Sequence, residues 1–176
     1  MPPPSNSMGY SLSDDDLKKA MKGRTKVVIY QDLHKYHSLK QLLRPYGSVC
    51  LLYETKPNYG HWVGVIDRGS SVEVFDSYGK YRVDGELKII DPQFRQQSGQ
   101  NFAYLSKLLY EDGRPIEYND TPVQSQNPQI ATCGRHVLTR ILMKDMPVGQ
   151  YTKLLKKGNP DKIVTEVSNW LLGNTT

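Results

Sequence analysis

The sequence has few of the features that stabilise a small secreted protein or anchor a membrane protein. Its 176 residues include only two cysteines, Cys50 and Cys133, and a chain of this size can bury about two thirds of its unfolded surface without disulfides. No apolar stretch approaches the roughly 20 residues that span a bilayer, and no charged region followed by an apolar run, typical of a secretion signal, opens the sequence. We therefore expect a protein of a reducing, intracellular compartment with no membrane partner, in which the sequons at Asn119 and Asn174 have no role.

Acidic residues are outnumbered by basic ones, 18 to 23, which gives a net charge of +5. Such an excess favours acidic partners without identifying one, and most basic regions are solvated surface. Two basic regions are present, which comprise Lys18, Lys19, Lys22, Arg24 and Lys26, and Lys153, Lys156, Lys157 and Lys162. Aromatic side chains that could stack on nucleic-acid bases are not interleaved with the basic residues of these regions.

The first part of the sequence predicts an arm followed by the start of a domain. Residues 1–10 are rich in proline and are expected to form a flexible arm, whereas residues 11–176 are expected to fold as a single domain. Ser13 precedes three aspartates, a pattern typical of a capped helix start, and Gly23 is expected to end that helix. The fold is therefore expected to begin just before this helix.

Three further segments are predicted before the middle of the chain. Residues 27–30 have the character of a short strand, and residues 38–43 that of a short helix. Residues 48–53 are apolar without alternation, which predicts a strand covered on both faces. That strand is expected to lie in the middle of a sheet.

The second half of the sequence predicts two helices and an edge strand. Apolar residues at helical spacing, with Phe102 among them, predict a helix over residues 100–110, and residues 115–118 could form a short edge strand. Asp161 is expected to cap a final helix that turns Trp170 inward and ends at Gly173.

A β-hairpin is predicted between residues 61–66 and 71–76, with residues 67–70 as the loop. In that register Ile66 pairs with Ser71, and His61 lies directly opposite Asp76. Directly opposed residues have Cβ atoms about 4.5 to 5.5 Å apart, close enough for an imidazole and a carboxylate to share a hydrogen bond.

Cys133 is a candidate nucleophile because an apolar helix pattern begins directly after it. Thr132 is expected to cap this helix, and the positive end of the helix dipole favours a thiolate over a thiol. Gly134 would let a substrate backbone approach closely. The core face of the helix is expected to comprise Val137, Leu138, Ile141 and Leu142. Cys50 lies within an apolar strand and is expected to be buried and inert.

Four histidines could supply a base. His34 and His37 flank a polar turn and are expected at the surface. His136 lies one helical turn after Cys133 but has no obvious carboxylate partner. His61 has one in Asp76, and a base with an orienting acid is what activates a thiol.

Two other acidic residues lie near the predicted hairpin. Asp67 falls in its loop, and Glu73 points to the opposite face from Asp76. Both are expected to be solvated charges.

An acyl-transfer site also requires donors for the developing oxyanion. The backbone N–H of Cys133 is one candidate, and the side-chain amide of Gln126 or Gln124 is another. Spacing alone leaves both glutamines open.

Three segments of the sequence together resemble the adenain-like cysteine proteases, which include the adenovirus maturation protease and its relatives in giant viruses and virophages. These segments are residues 60–65 (GHWVGV), 74–79 (VFDSYG) and 126–134 (QNPQIATCG). With their spacing they cover residues 47–146, and the SUMO proteases share the same clan pattern. Gln126 precedes Cys133 by seven residues, as in the adenovirus-type enzymes, whereas the gap is usually one shorter in SUMO proteases.

The resemblance implies His61 as general base, Asp76 as its partner, Cys133 as nucleophile and Gln126 as oxyanion donor. It also implies an α+β, papain-like fold of the adenain/SUMO-protease type, in which the helix that bears the nucleophile packs against a central mixed sheet. Residues 11–176 would then form one cysteine protease domain that needs no cofactor or metal.

The same resemblance implies cleavage of viral capsid or virion precursor proteins during maturation, in the virion and the host cytoplasm, with DNA or a peptide as a conceivable activator. One alternative is deconjugation of a ubiquitin-like modifier of the SUMO type, because the chemistry is identical. The other is a non-catalytic basic protein that associates with virions or nucleic acid.

Overall fold

The computed structural model of the chain describes residues 1–173, so the sequon at Asn174 lies outside the described residues. A five-stranded mixed sheet forms the centre of the fold, with strands in the order β1-β2-β3-β4-β5. The outer pairs β1–β2 and β4–β5 are parallel, and the inner pairs are antiparallel. The strands are β1 (Lys26–Ile29), β2 (Ser48–Lys56), β3 (Tyr59–Asp67), β4 (Val72–Phe75) and β5 (Ile116–Tyr118).

Helices cover both faces of this sheet. They are α1 (Asp14–Ala20), α2 (Leu39–Leu43), α3 (Pro92–Gln97), α4 (Tyr104–Asp112), α5 (Cys133–Leu142), α6 (Val148–Leu155) and α7 (Pro160–Leu172), with two 3₁₀ helices, Tyr30–Lys35 and Gly85–Ile89. None of the helices among residues 1–173 has the length and apolar character needed to cross a membrane.

The sheet separates two apolar cores. Residues of α1, α5, α6 and α7 pack on one face, and residues of α2 and α4 pack on the other. Strand β2 contributes to both cores, with Cys50 facing one and Leu51 the other. This two-sided burial confirms the prediction of a mid-sheet strand and explains why its apolar residues do not alternate with polar ones.

The predicted hairpin register is wrong by two residues. Asp67 pairs with Val72 and Gly64 pairs with Phe75, so the four-residue loop begins one residue later than expected. A shift of two residues keeps every side chain on its predicted face, because side chains alternate with a period of two. His61 and Asp76 are therefore diagonal neighbours and not directly opposed, but they still share one face.

The early helices and both short strands agree with the sequence. Ser13 and Asp16 form a reciprocal capping box at the start of α1, and Ser38 caps α2. The segment β5 is an edge strand, as predicted.

Two of the later helices differ from expectation. Helix α4 begins at Tyr104, so Phe102 lies before the helix and is 52% exposed. In α7 the N-cap is Asn159 and not Asp161, and Trp170 is 72% exposed and does not face inward. Gly173 ends α7 in the left-handed conformation with φ 71°, which confirms the predicted stop.

The N-terminal arm makes hydrogen bonds with the domain. The backbone carbonyls of Ser5 and Ser7 accept from the guanidinium of Arg135 at 2.7 and 3.3 Å, and the carbonyl of Asn6 accepts from Asn169. The flexibility of this arm stays a prediction, but Arg135 gives it a defined docking point.

Candidate active site

Cys133 is the first residue of α5 and lines a cavity of ≈ 280 Å³ together with His61, Tyr78 and Gln126. The thiol is 6% exposed, and its Sγ lies 3.8 Å from the carbonyl oxygen of Gly60. The helix therefore presents the sulfur at its N-terminal end, where the predicted nucleophile was expected.

Close packing against β3 holds α5 in place. Val137 lies over Gly64, and a Cβ added at Gly64 would lie 3.2 Å from a methyl group of Val137. Gly134 faces the buried indole of Trp62, and an added Cβ there would lie 3.0 Å from the ring. Helix–sheet packing, not the approach of a substrate, thus accounts for Gly134.

His61 and Asp76 form a buried pair, with Nε2 of the imidazole 2.6 Å from Oδ1 of the carboxylate. The carboxylate also accepts from the backbone N–H groups of Tyr78 and Tyr81, each at 3.2 Å. Because Nε2 is engaged, Nδ1 is the ring nitrogen left for a thiol proton.

The ionisation of the pair is set by opposing effects. Burial lowers the pKa of His61, but hydrogen bonds to Asp76 and Cys133 and the charges of both groups raise it well above its ordinary value. Burial raises the pKa of Asp76, but hydrogen bonds from His61 and from two backbone N–H groups lower it below its ordinary value. The pair therefore favours an imidazolium next to a carboxylate.

Asn119 fixes the backbone at Asp76, a role that the sequence analysis missed. Its Oδ1 accepts from the backbone N–H of Asp76 at 3.0 Å, and its Nδ2 donates to the Asp76 carbonyl at 2.6 Å. The sequence motif at Asn119 is only a sequon, for which no role is expected. The available signal was its position directly after an edge strand, where a buried amide can hold the end of the neighbouring strand.

Two tyrosines enclose the imidazole. The ring of Tyr78 stacks on His61 with centroids 5.2 Å apart and planes at 15°, and Tyr81 meets it edge-on at 6.2 Å. Burial, with the nearby charges of Cys133 and Asp76, raises the pKa of Tyr78 to about 12. Tyr78 is therefore a neutral wall of the site.

The two candidate glutamines have different surroundings. Gln124 is buried, accepts from the hydroxyl of Ser77 at 2.6 Å and donates to the hydroxyl of Tyr78 at 3.3 Å. Both glutamines line the cavity, but Gln126 is exposed, and within residues 1–173 its side chain makes no hydrogen bond. Gln126 thus has a free amide beside Cys133, although its role as oxyanion donor stays a prediction.

His136 does have a carboxylate partner, contrary to expectation. Its Nε2 lies 2.9 Å from Oδ1 of Asp161, which also accepts from the Thr132 hydroxyl at 2.6 Å. Thr132 occupies the N-cap position of α5, but its side chain bonds to Asp161 instead of the helix. His136 is fully buried, and this burial lowers its pKa against the opposing effect of Asp161. It therefore links α5 to α7 and does not line the cavity.

Glu73 is not a solvated charge. It forms a buried, bidentate pair with Arg140 of α5, with both N–O distances 2.8 Å. Asp67 is exposed, as expected, and pairs with Arg114 at 2.7 Å.

The remaining predictions for the cysteines, histidines and α5 are mostly confirmed. Cys50 is buried, and burial raises the pKa of its thiol to about 12. His34 and His37 are exposed. Three of the four residues expected on the core face of α5 are buried, and Leu142 is 37% exposed.

Glu86 is a further acidic residue beside the site, and no pattern in the sequence points to it. One of its carboxylate oxygens, one of Asp76 and a ring nitrogen of His61 all lie within 4.8 Å of one another. A cation at this point would have to replace the 2.6 Å hydrogen bond between His61 and Asp76. We therefore regard the three groups as a charge network and assign no metal to them.

The fold resembles two solved proteases over nearly the whole chain. The pS273R protease of ASFV gives a TM-score of 0.51 at 15% identity, with 97% of this chain and 70% of that chain covered. The SUMO protease Ulp1, with its catalytic cysteine oxidized to a sulfenic acid, gives 0.50 at 15% identity, with 97% and 81% covered. These likenesses confirm the predicted α+β fold of the adenain/SUMO-protease type.

No family model matches the chain. A sequence relative is protein V9 of Sputnik virophage, named as uncharacterized, which is 35% identical over 165 residues that cover 90% of this chain and 94% of the relative. The chain belongs to the same family as this virophage protein.

Proposed function

We propose that this protein is a cysteine endopeptidase that cleaves capsid or other virion precursor proteins. The observation that carries the proposal is the buried His61–Asp76 pair at 2.6 Å, in one cavity with Cys133 at a helix N-terminus. The protease fold and the virophage relative support the same conclusion.

The geometry supports acyl transfer in two halves. Nδ1 of His61 takes the thiol proton, and the sulfur of Cys133 attacks the scissile carbonyl carbon. The tetrahedral intermediate collapses to a thioester as the amine leaves with the proton from His61. Water then attacks the thioester with His61 as base, which releases the carboxylate product and restores the thiol.

Two groups would stabilise the negative oxygen of each intermediate. They are the backbone N–H of Cys133 and the side-chain amide of Gln126, which has no other partner among the described residues. One such donor is worth about 2.7 to 4 kcal/mol of transition-state stabilisation. General acid–base help from His61 contributes roughly 10²- to 10⁴-fold in rate.

The substrates would be precursors of the virion, processed within particles and in the host cytoplasm. The net charge of +5 permits DNA or an acidic peptide as an activator. If DNA activates by electrostatic contact, the activation should fall steeply as salt is raised.

The proposal is tested by incubating unprocessed virion proteins with the wild-type chain, Cys133→Ala and Cys50→Ala. The wild type and Cys50→Ala should generate the same fragments, and Cys133→Ala should generate none while keeping its fold. Appreciable cleavage by Cys133→Ala would overturn the assignment of the nucleophile.

Labelling with an iodoacetamide probe near pH 6 tests the site without a substrate. Cys133 should be modified selectively, because Cys50 is buried with a raised pKa, and the rate should drop in His61→Ala. Equal labelling of Cys133 with and without His61 would argue against an activated thiolate.

A second candidate is deconjugation of a ubiquitin-like modifier, which the fold likeness to Ulp1 favours. Fluorogenic C-terminal conjugates of SUMO and ubiquitin distinguish the two. Robust turnover of either conjugate, without cleavage of virion proteins, would favour the deconjugase.

A further inference from the structure

Glu86 is a buried carboxyl group that the acyl-transfer mechanism does not use. It lies in the 3₁₀ helix Gly85–Ile89, is 2% exposed, and its Oε2 has no hydrogen-bond partner among residues 1–173. Burial of an ionisable group without a partner is costly, so such a group in a folded protein requires an explanation. A ring nitrogen of His61 and a carboxylate oxygen of Asp76 lie within 4.8 Å of one of its carboxylate oxygens.

The other titratable groups that interact with Glu86 are Asp84, Asp76, His61 and Tyr53. Asp84 precedes it and is fully occupied, because its carboxylate accepts from the hydroxyls of Tyr30 and Tyr53 at 2.8 Å and from Ser106. Asp76 follows β4 and is bonded to His61 of β3. The charges that act most strongly on Glu86 are those of His61, Asp76 and Asp84, and of these three only His61 is cationic.

The protonation of Glu86 is balanced near neutral pH. Burial raises its pKa to about 7, Asp76 and Asp84 add to this effect, and its own backbone N–H and the charge of His61 oppose it. Glu86 thus changes charge in the pH range in which His61 must hold and release a proton.

We propose that Glu86 is a positioning residue that sets the charge state of His61, because its carboxylate and that of Asp76 together stabilise the imidazolium. The inference rests on the proposed role of His61 as the base. When Glu86 is protonated, the imidazolium keeps only the charges of Asp76 and Cys133 beside it and loses its proton more readily. When Glu86 is ionised, the imidazolium persists to higher pH.

The test is an NMR titration of the His61 ring in Cys133→Ala protein, which removes the thiol and needs no substrate. We compare this parent with parent chains that also carry Glu86→Gln or Glu166→Gln. Glu166 is exposed on α7 and does not line the cavity, so its replacement removes one negative charge outside the site. Glu86→Gln should lower the His61 midpoint by about one pH unit or more, since an opposite charge has been removed at this range. Glu166→Gln should leave it unchanged.

An unchanged His61 midpoint in a folded Glu86→Gln protein would overturn the proposal and leave Glu86 a structural residue. If Glu86→Gln does not fold, the carboxyl carbon of Glu86 is titrated in the parent by ¹³C NMR. A midpoint near neutral pH, mirrored by a second inflection in His61, supports the coupling, and its absence overturns it. None of these readouts depends on turnover, so a failure of the protease proposal is seen separately in the cleavage assay.

Discussion

Asp76 receives more support than a solvated carboxylate would need. Its side chain accepts from His61 and from two backbone N–H groups, and its own backbone is bracketed by the amide of Asn119. A carboxylate held this firmly can fix both the tautomer and the orientation of the imidazole. The geometry of the site therefore depends on Asn119, which does not line the cavity.

Replacing Asn119 with alanine should lower kcat/KM by at least about tenfold, because Asp76 loses the two bonds that hold its backbone. The free energy of unfolding should fall by about 1 to 3 kcal/mol, since a buried N–H and a buried carbonyl are left unsatisfied. Kinetics and urea denaturation measure both effects. Asn101→Ala, which removes an exposed amide, is the control. An active enzyme with unchanged stability would contradict the role given to Asn119.

The His61–Asp76 pair predicts a particular dependence of stability on pH. Burial lowers the pKa of His61, but its partners raise it well above the unfolded value. Its contribution to stability is therefore full below the unfolded pKa of about 6.5 and is lost as pH rises through the folded pKa. The pKa of Asp76 is lowered in the fold, so its contribution is present above its unfolded pKa and is lost as pH falls.

His61→Gln should consequently destabilise the protein more at about pH 6 than at a pH above the folded pKa of His61, where the wild-type imidazole has lost its proton. The measurement is the difference in urea midpoint between wild type and variant at the two pH values. The matched control is His34→Gln, at an exposed histidine. Equal destabilisation at both pH values would show that His61 is not protonated in the fold.

At the level of elements, the site depends on how α5 is attached to the hairpin. The guanidinium of Arg140 donates twice to Glu73 on β4 and also to the carbonyls of Met143 and Met146. Both charged side chains are fully buried. This pair fixes the end of α5 that is distant from Cys133, and so the axis along which the sulfur is presented.

Glu73→Gln should destabilise the fold by about 3 to 5 kcal/mol, because it leaves a buried guanidinium without its counter-charge. Glu73→Leu combined with Arg140→Met should recover part of this loss, since both buried charges are removed together. The control is Glu111→Gln, which breaks an exposed pair with Lys107 and should cost about 0 to 1 kcal/mol. If Glu73→Gln proves as mild as Glu111→Gln in urea denaturation, the pair does not hold α5.

The five strands and five of the seven α-helices of residues 1–173 were predictable from the sequence, but α3, α6 and the exact strand pairing were not. The apolar β2 and the capped α1 carry strong local signals, whereas the hairpin had two acceptable loops of equal length. Alternation could not choose between them, because a shift of two residues leaves His61 and Asp76 on the same face. The predictions for Phe102 and Trp170 were wrong because helical spacing alone does not show whether another part of the protein covers an apolar side chain.

The candidate site was predictable only in part. Cys133, His61 and Asp76 are residue types with characteristic chemistry and spacing, so they could be selected before their geometry was known. Contacts between segments that are distant in sequence define the roles of Asn119, Glu86 and the partners of Asp161. No local sequence pattern indicates such contacts. In the sequence, buried polar residues of this kind cannot be distinguished from polar residues of surface loops.

Over the whole molecule, the N-terminal segment and α7 meet behind α5. Arg135 is buried there and has no carboxylate partner among residues 1–173, and burial lowers its pKa to about 10, against the effect of Asp16. Its acceptors are the carbonyls of Ser5 and Ser7 and the side chains of Ser168 and Asn169. Two backbone carbonyls of the arm therefore accept hydrogen bonds from a charged side chain inside the domain.

Deletion of residues 1–7 should lower the thermal midpoint, because Arg135 loses both carbonyl acceptors, and bonds to charged groups are worth about 1.5 to 3 kcal/mol each. In an Arg135→Met background the same deletion should have a smaller effect, because only the bond from Asn169 to the Asn6 carbonyl is then lost with the arm. Thermal unfolding of the wild type, the deletion, Arg135→Met and the combined variant forms a double-mutant cycle. Equal losses in both backgrounds would mean that the arm stabilises the domain by some other contact.

The buried pair of His136 and Asp161 gives this protein a natural spectroscopic marker. The ring proton on Nε2 of His136 is bonded to a carboxylate and sealed from solvent, so its exchange with bulk water requires α7 to separate from α5. The proton should give a persistent downfield NMR signal that disappears when the two helices part. Docking of the C-terminal helix could then be followed in the intact protein without a label.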